Sequence, residues 1–96
     1  MIKKEEKERI VGLINLFVPQ AAIYVFGSHA RGDANEFSDL DIALDQGSKI
    51  TYELLSELKT VIEALYIPYK IDVVDLQRVS LPLKENIMRE HIVWKK

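Results

Sequence analysis

The chain has 96 residues, 48% of them apolar and 29% charged, with a formal net charge of −2 and no cysteine. That length suits a single domain spanning 1–96, with a modest core that hides about 60–65% of the unfolded surface, and that composition excludes a disordered chain. The missing cysteines exclude a disulfide framework and a thiolate zinc site, and the near-neutral balance gives no support to a surface that grips nucleic acid, so no direct nucleic-acid binding is expected.

The opening stretch, MIKKEEKERI, mixes acids with its bases, and no apolar leader region follows it. Apolar runs stay far below the roughly 20 residues of a membrane span, so no membrane contact and a cytoplasmic location are the expectations. Ile10, Val11, Leu13, Ile14 and Phe17 recur at helical spacing, which predicts a first helix stopped by Pro19. Ala21 to Phe26 (AAIYVF) predicts a buried strand, closed by Gly27-Ser28. Arg31-Gly32-Asp33 and Asn35 make a turn-rich loop.

Ser38 to Asp45 alternates and predicts a second strand. Leu40, Ile42 and Leu44 share one face of it, and Asp39, Asp41, Ala43 and Asp45 the other. Ile50 to Leu65 predicts an amphipathic helix with Leu54, Leu55, Leu58, Val61, Ile62 and Leu65 inward, ended before Pro68. Tyr69 to Leu76 predicts a third strand, Leu83 to Glu90 a short helix after Pro82, and His91 to Trp94 a last strand. The expected order is α-β-β-α-β-α-β, an α/β or α+β domain with about four strands flanked by helices.

Three features carry chemistry. A glycine after a buried strand lets backbone N–H groups approach phosphate oxygens, Ser28 adds a hydroxyl, and a helical turn starting there would favour an anion. Asp39 and Asp41 point to one side of their strand, where like charges repel unless a divalent cation lies between them. Magnesium takes carboxylate oxygens together with substrate phosphates and water, although two exposed surface aspartates would read the same way. Asp72 lies in the apolar run Ile71-Asp72-Val73-Val74, where a carboxylate is costly unless a metal or an acceptor proton compensates it. Asp72 could instead simply cap a turn at the strand end, and Asp75 competes for the third position but faces the other side of an ideal strand.

The string Gly27-Ser28-His29-Ala30-Arg31-Gly32, followed by Ser38-Asp39-Leu40-Asp41-Ile42, has ten residues between Ser28 and Asp39. In this it resembles the DNA polymerase β-like nucleotidyltransferase superfamily. It is most similar to the minimal nucleotidyltransferase (MNT) family, the MntA-like antitoxins of HEPN/MNT toxin–antitoxin pairs. The resemblance covers essentially the whole chain and implies a nucleotidyltransferase fold with a mixed sheet. It implies Gly27, Ser28 and Arg31 on the triphosphate of ATP, and Asp39, Asp41 and Asp72 as catalytic metal ligands for a two-ion Mg²⁺ site. Asp72 would also activate the acceptor. His29 departs from the family, which commonly has Arg there, and its role stays open.

So small a chain leaves no room for an acceptor-binding domain, and the resemblance supplies a partner, a HEPN RNase toxin in a hetero-oligomer. The implied activity is transfer of AMP from ATP to a tyrosine of that toxin, which makes this chain the antitoxin. One alternative is a non-catalytic module that binds NTP or toxin and neutralises by complex formation. A second is an enzyme acting on a small-molecule acceptor such as an aminoglycoside. Leu81, Leu83, Ile87, Met88, Ile92, Val93 and Trp94 make an apolar chain end, either core or a partner surface around Met88 and Trp94. Tyr24, Tyr52, Tyr66 and Tyr69 read as fillers of core or surface.

Overall fold

A computed structural model describes residues 2–35 and 37–96. Eight elements follow one another: α1 (Lys4–Phe17), β1 (Ala22–Phe26), α2 (Ser28–Arg31), β2 (Leu40–Asp45), α3 (Tyr52–Glu63), β3 (Ile71–Asp75), α4 (Leu81–Glu90) and β4 (Ile92–Lys95). The four strands form one mixed sheet in the order β3-β2-β1-β4. β1 runs antiparallel to both β2 and β4, and β2 runs parallel to β3 across the α3 connection. This is the mixed sheet with flanking helices that the sequence predicts, with one added element. The turn after Gly27 closes into a single helical turn, α2.

Local chemistry sets the boundaries. Glu6 accepts the Lys3 backbone N–H at 2.9 Å and closes the first turn of α1. Thr51 Oγ1 accepts the Leu54 N–H at 3.2 Å and starts α3. Ser80 Oγ accepts the Leu83 N–H at 3.4 Å, so α4 begins at Leu81, two residues before its predicted start. Pro82 lies inside that first turn rather than ahead of the helix, because a first-turn residue has no intrahelical partner for its N–H. The predicted strands are each trimmed by one to three residues, and β4 extends to Lys95.

The sheet has two unlike faces. On one, Ile23, Val25, Leu40, Ile42, Leu44 and Val73 pack against Ile10 and Ile14 of α1 and Leu55, Leu58 and Ile62 of α3. On the other, Ala43 packs with Leu76 and with Ile87 of α4, bordered by Tyr24, Phe26, Val74 and Leu83. Leu54 and Val61, expected inward, are only partly buried, since the α3 face that meets the sheet is narrower than its apolar stripe, and Leu65, also partly buried, lies beyond α3, which ends at Glu63. Alternation along the strands puts Asp41 and Asp72 on the α4 face, beyond the reach of its apolar cover. Among the described residues no helix is long and apolar enough to cross a membrane.

Candidate active site

The site lies where β1 ends and β2 and β3 begin. Phe26, the last residue of β1, is in register with Asp41, and Asp41 is in register with Asp72 on the parallel neighbour. Adjacent strands lie about 4.8 Å apart, so the two carboxylates project side by side. Asp39 precedes β2 and is exposed, Asp41 is half-buried, and Asp72 is exposed. Burial, then the negative charges of Asp72 and Asp39, hold the Asp41 carboxyl above the usual aspartate range, against an opposing pull from His29 and Arg31.

Gly27 closes over this group. Its φ of 73° lies in the region that favours glycine, and a Cβ there would run into the Asp41 carboxylate. The chain then enters α2, whose Ala30 and Arg31 N–H groups bond back to the Gly27 carbonyl. Gly32 ends that turn with a φ of 84°. The N–H groups that open such a turn have no partner within it and point outward, which suits phosphate oxygens. The structure thus brings Gly27, Ser28, Asp39, Asp41 and Asp72 to one end of the sheet.

Asp75 is not among them. It is 2% exposed and accepts the N–H groups of Ile50 at 2.7 Å and Gln77 at 2.9 Å. Arg78 stands 3.5 Å from it and donates twice to the Ile50 carbonyl. Asp75 therefore anchors the end of β3 to the start of α3. His29 lies close enough to act on the Asp41 charge. Its ring lies 6.2 Å from that of Tyr69, and its buried Nε2 has no partner among the described residues.

Arg31 is already engaged. Its Nε pairs with Asp33 at 3.3 Å and its Nη1 with Glu90 at 3.4 Å. Glu90 Oε1 also accepts the Gly27 backbone N–H at 3.3 Å. Sequence reasoning missed Glu90, which is 63 residues from Gly27. The available signal was an acid at the last position of a helix, where the macrodipole disfavours negative charge.

The carboxylate group fits a hard divalent cation. Among the described residues the ion-paired acids are Asp33, Asp75 and Glu90, and none of Asp39, Asp41 and Asp72 is so engaged. Among the described residues no three acidic or histidine side chains stand together so as to hold a metal ion between them. Magnesium needs no such group, since it takes one or two carboxylates and fills its shell with phosphate oxygens and water.

Comparison with known proteins identifies the family and the fold. The Polymerase beta, Nucleotidyltransferase family matches residues 9–96, and the chain belongs to that family. A protein of Haemophilus influenzae named probable protein adenylyltransferase MntA is 27% identical over 92 residues, which is 96% of this chain and 81% of that one. The crystal structure of a toxin–antitoxin with AMP-PNP superposes with a TM-score of 0.79 at 25% identity, covering 94% of this chain and 73% of that one. A structure described as a minimal nucleotidyltransferase superposes with a TM-score of 0.72 at 31% identity, covering 96% and 95%.

Proposed function

We propose that this chain is a Mg²⁺-dependent protein adenylyltransferase that moves AMP from ATP to a tyrosine of a partner HEPN RNase, and so acts as its antitoxin in the cytoplasm. The observation that carries the reading is the register pairing of Asp41 with Asp72 directly beneath the Gly27 turn. Two carboxylates thus lie beside the strand-to-helix turn that we read as the phosphate-binding element, an arrangement that supports nucleotidyl transfer. The name of the Haemophilus influenzae relative supports the protein acceptor, and the AMP-PNP in the toxin–antitoxin structure supports an adenine nucleotide.

Asp39, Asp41 and Asp72 would offer the cation one or two carboxylates at a time, with phosphate oxygens and water filling its shell. Magnesium, when bound, supplies compensation for the charge on the phosphate and attacking oxygens. The Gly27-Ser28 turn orients the triphosphate so that the α-phosphorus faces Asp72. Asp72 is exposed and therefore open to an acceptor from outside the chain. It accepts the proton of the acceptor hydroxyl as the new O–P bond forms. The bond between the α-phosphorus and its bridging oxygen breaks, and pyrophosphate leaves past Ser28 and the backbone donors of α2. Positioning and charge compensation do most of this work.

The test is intact-mass spectrometry of the purified protein incubated with ATP, Mg²⁺ and the product of the adjacent gene. AMP increments on the partner, absent with the Asp39→Asn, Asp41→Asn pair, are the expected result. A stable complex of the two proteins with no increment would overturn the catalytic reading for that partner and leave a binding module in its place.

A further inference from the structure

Glu90 is misplaced by the ordinary rules of helices. It is the last residue of α4, where the carbonyl ends of the peptide dipoles repel an anion. Two contacts offset that repulsion, and both are with the phosphate-binding element. The Gly27 N–H donates to Glu90 Oε1 at 3.3 Å, and Arg31 Nη1 reaches the same oxygen at 3.4 Å. A single carboxylate oxygen therefore collects one backbone donor and one guanidinium, much as a phosphate oxygen would. Asp33 takes a second edge of Arg31, so the two acids together neutralise that cation.

The arrangement constrains what a nucleotide can do. A backbone N–H has one hydrogen and serves one strong acceptor at a time. A triphosphate brought to Gly27 meets a carboxylate already bonded there, and two anions sharing those donors repel. We propose that Glu90 is the resident anion of the phosphate cradle and that nucleotide binding exchanges its carboxylate for triphosphate oxygens. Glu90 thereby lowers affinity for the nucleotide and keeps the cradle formed between turnovers. The exchange is reversible because the α4 dipole already favours the carboxylate's departure and because Glu90 stays partly open to solvent. The inference rests on the reading of Gly27 and Ser28 as triphosphate ligands.

Titration calorimetry of the full chain with Mg²⁺–AMP-PNP, inorganic triphosphate and adenosine tests it. Glu90→Gln keeps the shape and removes the charge. The expected result is about three- to tenfold tighter binding of both triphosphate ligands, with adenosine unchanged, and a gap that narrows as KCl is raised. A role confined to holding the fold would move all three ligands or none. Unchanged or weaker triphosphate binding in Glu90→Gln overturns the exchange. Ser28→Ala separates the two ideas. Weaker triphosphate binding in Ser28→Ala beside an unmoved Glu90→Gln sinks the exchange alone. Wild-type affinity in both variants sinks the phosphate-cradle reading with it.

Discussion

Gly27 and Gly32 bracket α2 with similar φ but different ψ, −151° against 10°, and with opposite surroundings. Both have positive φ, 73° and 84°, which costs a side-chain-bearing residue about 1–3 kcal/mol. Around Gly32 there is open space, whereas a Cβ on Gly27 meets the Asp41 carboxylate. Gly32→Ala is therefore expected to lower Tm by several degrees and leave transfer near wild type per folded molecule. Gly27→Ala is expected to show a larger conformational penalty, because its ψ of −151° lies in a region essentially reserved for glycine, and also to displace Asp41, with transfer down by about a hundredfold or more, as a misplacement of about 1 Å produces. Equal activity losses in the two variants would show that backbone strain alone matters here. That Gly27, Ser28, Asp39 and Asp41 come together was legible from the sequence because each is placed by local spacing, along a strand or at its end. The collision between Gly27 and Asp41 was not, because it depends on how two strands are registered.

β3 carries two aspartates three positions apart with different jobs, and the element explains the division. Asp72 pairs with Asp41 on the open side, while Asp75 is in register with Leu44 and turns into the protein. There it satisfies two backbone N–H groups and holds Arg78 near the α3 entry. Asp75→Ala would strand those buried donors and is expected to cost about 3 kcal/mol, near the range for breaking a buried charged network. Asp72→Asn removes an exposed charge that repels Asp41, and is expected to leave Tm unchanged or slightly raised while transfer falls by about a thousandfold. Urea unfolding and initial rates on the two variants check both expectations, and the reverse assignment of losses would exchange the two roles. The two-residue alternation of a strand was enough to separate the pair in the sequence. What each side faces was not readable, because Ile50 and Arg78 reach Asp75 through tertiary packing. The same limit applies to the chain end. Met88, Ile92 and Val93 are exposed, but Trp94 is half-buried against the main core with Lys7 5.6 Å from its ring.

Across the whole molecule, two acids respond to pH with opposite sign. Glu6 is mostly buried on α1, bonded to the Lys3 N–H at 2.9 Å and the Tyr69 hydroxyl at 3.1 Å. The Lys3 N–H, followed by Tyr69 and nearby cations, holds its carboxyl below the usual glutamate range despite burial. Its stabilisation is thus complete above the ordinary glutamate value of about 4.3 and is lost as pH falls through the lower folded value. Asp41 is the opposite case, since burial with Asp72 and Asp39 nearby raises it. Its charge destabilises the fold at neutral pH, and that cost is relieved as pH falls through the raised folded value, above the ordinary aspartate value of about 3.9. Acidification from neutrality therefore meets Asp41 first and Glu6 second. In buffers without Mg²⁺, Tm contributed by these two groups is expected to rise slightly into mild acid and then fall. Asp41→Asn should raise the neutral-pH Tm by about 2–5 °C and abolish the rise. Glu6→Gln should lower Tm at neutral pH by about 4–8 °C, for a loss of roughly 1 kcal/mol, and flatten the fall below pH 4. Thermal scans of the three proteins at half-unit steps resolve the two limbs. A rise that survives in Asp41→Asn would place its source outside the carboxylate cluster. The two limbs also separate purposes within one small fold, because the α1 face carries an acid that holds the structure and the α4 face one that strains it.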